Sequence, residues 1–439
     1  VFSIQVAMNV NRLDLNHTYL FDVSKYRDLI RSLGPGLLYA GAAIGVSHLV
    51  QSTRAGANFG ALMIFAVLAA NILKYPFFEF GPRYVAATGH SILHGYKKVG
   101  AWAPWLFIIL TILTMFTVQA AITSVTAGLA QEMTGFDLAS WKWGAILLAI
   151  ASGVLLIGKY GVLDRLMKYI IVGLALTTII ALLASQNASF SKVESQMIDF
   201  NFSNEIHIYF LIALVGWMPA PVDIAVWHSV WSVAKNKSLK RQLSLNESLF
   251  DFKLGFWGTA MLAVAFVLLG STVLYGSGEE LASSGSGFAA QLIGVYTSSI
   301  GAWAYPFIAL AAFTTMISTT ITCLDAFPRV LGPAFDAALN RNPKGRTSSN
   351  VYQIVLIVLV IGTLVLMSKF SENMKGLVDL ATSISFMTAP FLAWLNLKSV
   401  ISKEFPAEFR PGIVLRVLSV LGLIFLLSLG GYFFYLKFS

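Results

Sequence analysis

The sequence has few charged residues for its length. Of its 439 residues, 12% are Asp, Glu, Lys or Arg, and 57% are hydrophobic. Soluble globular domains carry about 25% charged residues, so this composition excludes an ordinary soluble protein. Apolar runs of about 18 or more residues recur along the chain, and such runs are long enough to cross a bilayer as helices. We therefore predict an all-α integral membrane protein.

Cysteine is nearly absent, and the usual enzyme motifs are missing. The one cysteine, Cys323, rules out a disulfide within the chain. The sequence has no Gly-rich phosphate loop, no nucleophile elbow and no HExxH zinc helix, so we expect neither an enzyme nor a cofactor. The formal net charge is +9, but the basic residues are spread over short connectors. That distribution orients membrane spans and does not indicate nucleic-acid binding.

Eleven apolar stretches are candidate membrane spans, and the connectors between them alternate in charge. Because basic connectors stay in the cytoplasm, we predict a cytoplasmic N-terminal segment over 1–32. After eleven spans, an odd number, the C-terminus is then predicted to be external. We expect a multi-pass protein of the cell (inner) membrane, surrounded by lipid. No connector is long enough for a soluble domain, so 33–439 is predicted to be a single transmembrane domain. The spans run over about 33–53, 60–80, 103–130, 143–157, 167–183, 208–231, 255–275, 303–324, 351–367, 377–397 and 413–436.

The sixth predicted span is interrupted by two prolines. Pro219 and Pro221 lie just before Asp223 in the middle of an apolar stretch. Each proline removes a backbone donor and clashes with the preceding turn, so the segment should unwind and free several carbonyl groups. Free carbonyls and a carboxylate at this depth are unfavourable in lipid unless they face a cavity or an ion. The pattern therefore predicts a cation site.

The first predicted span is interrupted as well. Gly34-Pro35-Gly36 is followed by Gly41, Gly45 and His48 at its centre. It lies five spans before the sixth, and paired broken helices at matching positions of two halves indicate the midplane site of a secondary transporter. We therefore predict inverted five-helix repeats over about 33–185 and about 206–398, followed by an extra helix over about 413–436.

Several short motifs occur in a characteristic order along the chain. They are Gly34-Pro35-Gly36-Leu37-Leu38, Gly56-Ala57-Asn58-Phe59-Gly60, Ser318-Thr319-Thr320-Ile321-Thr322, Leu380-Ala381-Thr382 and Ala389-Pro390-Phe391. In order and spacing the chain resembles the NRAMP (natural resistance-associated macrophage protein) family of metal-ion transporters. The resemblance implies a LeuT-type fold and transport by alternating access, in which spans one, two, six and seven rock against the remaining helices.

The metal and proton residues of that family are replaced here. The family's first span has an Asp and an Asn that bind transition metals, and the corresponding positions here are Gly45 and His48. The Met and the His of the family's sixth span correspond to Ala220 and Val222, and the Gln of its tenth span corresponds to Thr382. The acidic residues that form the family's proton path in the third span correspond to Val118 and Ala121. The resemblance therefore implies the architecture of the family without its usual metal chemistry.

The remaining polar groups favour a hard cation. Oxygen ligands suit hard ions, whereas thioethers suit softer ones. A divalent ion beside the single carboxylate of Asp223 would leave one charge uncompensated at low dielectric, which favours monovalent Li⁺ or Na⁺; an Mg²⁺ ion that keeps its waters is the alternative. Asp223 is the predicted metal ligand. The other predicted ion-binding positions are Ala42 and Trp217 through their carbonyls, Ser47 and Thr382 through their hydroxyls, and Gly45, His48 and Ala220 around them.

Three ionisable residues are candidates for proton transfer or gating. They are His48, His228 and Asp379, and histidine titrates near physiological pH. The alternatives are structural: His48 is a packing histidine, or Asp223 pairs with His48, Arg54 or His228. Near the end of the second span, Lys74 precedes Glu79 and Arg83, and the spacing of four predicts a Glu79–Arg83 ion pair. Asp325 and Arg329 repeat that spacing, so we expect a second pair there.

Two other functions are compatible with the sequence. A membrane receptor that has lost transport would explain the missing metal ligands. Transport or binding of an organic solute such as an amino acid would use the room left by Gly45 and Ala220. For all three functions we expect a monomer.

Overall fold

The computed structural model describes residues 33–157, 160–185, 197–279, 281–341 and 349–438. The predicted cytoplasmic segment 1–32 lies outside these residues. Within them the chain is helical apart from short turns, and no β-strand occurs. A helix bonds its own backbone groups internally, which is what an apolar chain requires in lipid. The prediction of an all-α fold is confirmed.

We number the α-helices of the described ranges in chain order. The first half contains α1 (Pro35–Ala43), α2 (Thr53–Phe59), α3 (Met63–Thr88), α4 (Ile92–Val99), α5 (Ala103–Thr134), α6 (Ser140–Leu156) and α7 (Tyr160–Ser185). The second half contains α8 (Glu205–Trp217), α9 (Ile224–Leu239), α10 (Leu245–Val273), α11 (Gly285–Ile300), α12 (Tyr305–Ala338), α13 (Ser349–Lys369), α14 (Met374–Ile401) and α15 (Ile413–Phe438).

Both halves follow the same order of elements. Each begins with a broken helix, α1 and α2 in one and α8 and α9 in the other, and continues with a long, a short and another long helix. A π-helical segment, Ser47–Ser52, lies in the first break. The short helices α4 and α11 have no counterpart among the predicted spans. The matching order agrees with two repeats, whose boundaries stay a prediction.

The helices are long and apolar enough for a membrane. Within the described residues, seven helical stretches can cross a bilayer by length and composition, and three shorter apolar helices accompany them. One of the seven, Ser47–Thr88, joins the end of the first predicted span to the second. The predicted count of eleven spans therefore stays a prediction, while the multi-span class is confirmed.

Small residues allow close helix crossings around the broken helices. A Cβ at Gly36 would lie 2.0 Å from the carbonyl oxygen of Asp251, and one at Gly56 would lie 2.0 Å from that of Val267. Both halves of the first broken helix thus pack along α10. The two halves of the second broken helix have different main partners, because α8 packs mainly on α14 and α9 packs mainly on α3.

Candidate functional site

The first break is satisfied by uncharged groups of the chain itself. Helix α1 ends at Ala43. The hydroxyl of Thr319 on α12 donates to the carbonyl of Gly41 at 3.0 Å, and that of Ser47 donates to the carbonyl of Ala43 at 2.5 Å. Two carbonyls of the break are thus bound by hydroxyl groups rather than by charged ones.

Gly45 lies at this break without room for a side chain. A Cβ there would lie 2.7 Å from Cγ2 of Thr319. The space that a carboxylate would need is therefore filled by a neighbouring helix. This packing also takes up the room that the organic-solute alternative requires at Gly45.

His48 is fully buried, and both of its ring nitrogens lie near oxygen atoms. Nε2 lies 3.0 Å from the carbonyl oxygen of Thr259 on α10. Nδ1 lies 2.7 Å from Oγ of Ser47 and 2.9 Å from the carbonyl oxygen of Ala43. A neutral ring carries a single proton, so it donates to one of these two carbonyls and not to both. These contacts join the first break to α10, as a packing histidine would.

The second break exposes carbonyl groups because of its prolines. Helix α8 ends at Trp217, and α9 begins at Ile224. In a continuous helix, the carbonyls of Val215 and Trp217 would accept from residues 219 and 221, which are prolines without an N–H. The predicted unwinding around Pro219 and Pro221 is confirmed.

Lys74 of α3 binds three carbonyls at this break. Its Nζ donates to Val215 at 2.9 Å, to Gly216 at 3.1 Å and to Ala220 at 3.0 Å. The side chain is completely buried. Sequence reasoning grouped Lys74 with Glu79 and missed this role. The signal that identifies it is a lysine inside a long apolar helix, since an ionisable residue at that depth marks a functional site by default.

Asp223 lies directly before α9, at its N-cap position. The residue is 6% exposed, and Oδ1 of its carboxylate has no hydrogen-bond partner among the described residues. Its charge interacts with that of Lys74. An unsatisfied buried carboxylate oxygen is unfavourable by several kcal/mol in a protein interior, so it favours a hydrogen-bond donor, a proton or a cation beside it.

A small cavity lies between the two breaks. Its volume of about 20 Å³ has room for a species the size of one water molecule. Most of its lining is apolar, and Ser47 and Thr319 supply hydroxyl groups. The lining residues are Ala42, Ala43, Val46, Ser47, Val118, Ile122, Trp217, Pro221, Ile224, Trp227, Thr319 and Cys323.

Asp379 lies in an ion pair that does not include Asp223. Its two carboxylate oxygens accept from Arg54 of α2 at 2.7 Å and 3.1 Å, and the side-chain oxygen of Gln51 accepts from the same arginine at 2.8 Å. Thr382, one turn along α14, donates to the carbonyl of Val378 at 2.9 Å. Arg54 is thus the partner of Asp379.

His228 lies in an aromatic environment within α9. Its ring is 6.3 Å from that of Tyr39 and 5.8 Å from that of Phe252. Nδ1 is 3.4 Å from Oγ of Ser232, and Nε2 has no partner among the described residues. Its surroundings therefore differ from those of Asp223, although both lie on the same helix.

The two ion pairs predicted from spacing are confirmed. Arg83 pairs with Glu79 at 2.5 Å, and Arg329 pairs with Asp325 at 2.7 Å. Asp325 also accepts from the hydroxyl of Tyr352 at 2.7 Å.

In the part of the chain that the structure describes, no group of three His, Cys, Asp or Glu residues is placed to hold a metal ion. A site built on Asp223 therefore depends on neutral oxygens for its remaining ligands.

Comparisons with known proteins agree with this architecture. The family model described as natural resistance-associated macrophage protein-like matches residues 36–436. An uncharacterized protein of Pasteurella multocida (strain Pm70) is 32% identical over 413 residues, which are 94% of this chain and 93% of that protein.

Solved structures resemble the fold at low sequence identity. A variant of the manganese transporter of Eremococcus coleocola has a TM-score of 0.69 at 14% identity, covering 95% of this chain and 87% of that one. Mhp1, a nucleobase-cation-symport-1 family transporter with bromovinylhydantoin bound, has 0.55 at 14%, covering 92% of each chain. MhsT in complex with L-phenylalanine has 0.57 at 13%, covering 92% of this chain and 97% of that one. These structures share the LeuT-type fold. The chain therefore belongs to the natural resistance-associated macrophage protein-like family and is an integral membrane protein.

Proposed function

We propose that the protein is a secondary transporter that moves a small hard cation, Li⁺ or Na⁺, across the membrane by alternating access. The observation that carries this proposal is the buried carboxylate of Asp223, with one oxygen unpartnered beside a broken helix. Family membership supports transport of a metal ion in general, and the relative from Eremococcus coleocola is described as a manganese transporter.

The primary ligand in this proposal is Asp223. The carbonyl of Trp217, which loses its helical partner to Pro221, lies on the same break and is the second ligand. Ala42 and Ser47 line the adjacent cavity together with Trp217, and we place their oxygens around the transported ion. Carboxylate, carbonyl and hydroxyl oxygens together form a hard ligand set. Gly45, His48, Ala220 and Thr382 then form the surroundings of the ion.

Charge balance supports a monovalent ion over Mg²⁺. The buried charges at the second break are the Asp223 carboxylate and the Lys74 ammonium, which already offset each other. A monovalent ion adds one positive charge to this low-dielectric region, whereas Mg²⁺ adds two, and each uncompensated charge is unfavourable by several kcal/mol. The small cavity also disfavours an organic solute. A receptor without transport is the outcome if no flux is found.

The proposal includes location and assembly. The protein lies in the cell (inner) membrane as a monomer, with its N-terminus in the cytoplasm and its C-terminus outside. Alternation of basic and acidic connectors supports this orientation.

Flux into proteoliposomes tests the function. Purified protein is supplied with gradients of Li⁺, Na⁺, Mg²⁺ and Mn²⁺, and we expect uptake of Li⁺ or Na⁺ to exceed that of both divalent ions. Preference for Mg²⁺ would assign the alternative ion, and absence of all flux would contradict the transport proposal.

Asp223→Asn tests the ligand in the same assay. We expect cation binding, measured by calorimetry, and flux to fall by at least about tenfold, because an ionic ligand worth more than about 1.4 kcal/mol is lost. The matched control is Asp325→Asn, which removes a buried carboxylate already paired with Arg329 and Tyr352. This control is expected to lower stability and to leave ion selectivity unchanged. If Asp223→Asn binds the cation as the wild type does, the assigned ligand is wrong.

A further inference from the structure

Lys74 is not a ligand of the proposed transported ion, yet its surroundings are those of a bound cation. It lies inside α3, between Leu73 and Tyr75, and is fully buried. A charged ammonium at membrane depth is unfavourable unless it is paired or bound by backbone carbonyls. The side chain therefore needs compensation from the groups around it.

That compensation is complete. A lysine ammonium has three N–H donors, and each reaches one carbonyl, at 2.9, 3.1 and 3.0 Å. Val215 and Gly216 belong to the last turn of α8, where the helix dipole is negative. The ring of Phe78 lies 5.9 Å from Nζ and adds a cation–π contact.

Rings of carbonyl oxygens are also how channel filters bind K⁺, by replacing its hydration shell. We propose that Lys74 is a built-in cation: its ammonium fills a carbonyl site at the second helix break that binds a free monovalent cation of the K⁺ or ammonium class when the side chain is absent. The carbonyl site consists of Val215, Gly216 and Ala220. This inference goes beyond the proposed function, because it concerns a permanently occupied site and not the transported ion.

Lys74→Ala tests the proposal by emptying the site. The melting temperature of purified protein is measured in choline, potassium, ammonium and methylammonium chlorides at equal ionic strength. Li⁺ and Na⁺ are left out because the transported ion would shift the melting temperature itself. We expect the wild type to melt at one temperature in all four salts. The variant should melt lower in choline and recover by several degrees, with saturation, in ammonium or potassium. The absence of any salt-specific recovery would overturn the proposal.

Lys74→Met keeps the test decisive if the alanine variant does not fold. The methionine chain fills the same space without donors, so ammonium ions should give no recovery. Hydrogen–deuterium exchange of a peptide covering 213–226 should accelerate by about tenfold or more, the effect of leaving one buried carbonyl unsatisfied. A peptide covering 41–52, at the first break, should exchange as in the wild type. Unchanged exchange over 213–226 would refute the proposal. Neither readout uses flux, so failure of the transport proposal leaves this test intact.

Discussion

The first and second helix breaks expose the same kind of backbone groups but satisfy them differently. At the first break, hydroxyl groups of Thr319 and Ser47 bind the carbonyls of Gly41 and Ala43, and the ring of His48 lies beside them. At the second, an ammonium binds three carbonyls, and a carboxylate oxygen of Asp223 stays without a partner. The contacts at the first break are made by uncharged groups, whereas those at the second involve an ammonium and a carboxylate. The charged groups of the site therefore lie at the second break, and symmetric topology does not imply symmetric chemistry.

The largest effect is expected from Arg54, the buried cation on the first broken helix. Its charge is balanced by Asp379 rather than by carbonyls, and Arg54→Gln leaves that carboxylate unpaired. Breaking one partner of a buried ion pair reduces the free energy of unfolding by about 3–5 kcal/mol, which thermal or denaturant unfolding measures. Lys98→Gln is the control, since its pair with Glu404 at 3.5 Å is exposed and is worth about 1 kcal/mol or less. Equal losses in both variants would mean that Arg54 is not the buried partner seen here.

A smaller loss is expected from a single methyl group at the first break. Gly45→Ala places a Cβ against Thr319 at 2.7 Å, and overpacking of this kind reduces stability by up to about 3 kcal/mol. Gly153→Ala is the matched control, because no atom lies within 4 Å of a Cβ at that position. The control should be neutral or slightly stabilising, since alanine favours the helix by about 1 kcal/mol. A neutral Gly45→Ala would show that the first break has spare room and would reopen the organic-solute alternative.

The smallest effect is expected from His48→Gln. Glutamine keeps an N–H donor for Thr259 but loses the second set of contacts, so the free energy of unfolding should fall by about 1 kcal/mol. Cation affinity, measured by calorimetry, should stay at the wild-type value, because His48 supplies no ligand atom in the proposed site. A loss of affinity comparable to that of Asp223→Asn would instead return His48 to the set of ion ligands.

Much of the fold was predictable from local sequence. Prolines and glycines mark both breaks, and the spacing of four identifies the Glu79–Arg83 and Asp325–Arg329 pairs, because partners one helical turn apart share a face. The short helices α4 and α11 were missed, since neither is a long apolar run.

The contacts of the site were less predictable because they join distant parts of the chain. Lys74 and its carbonyls are separated by 141 to 146 residues, and Arg54 and Asp379 by 325. In the sequence, the acidic residue Glu79 lies much nearer to Lys74 than these carbonyls do, so sequence spacing grouped Lys74 with Glu79. Backbone carbonyls have no signature in the sequence except where a proline removes their partner.

The packing of the two broken helices gives them different mechanical roles. The unbroken helix α10 packs along both halves of the first broken helix, α1 and α2, and so supports that break on both sides. The second break is held less evenly, because α9 lies mainly on α3, whereas α8 lies mainly on α14 and has only a smaller contact with α3. The segment from Met218 to Asp223 therefore connects two helices, α8 and α9, that have different main packing partners. Lys74 of α3 donates to two carbonyls at the end of α8 and to the carbonyl of Ala220 within this segment. A rotation of α8 relative to α9 must therefore change these three hydrogen bonds.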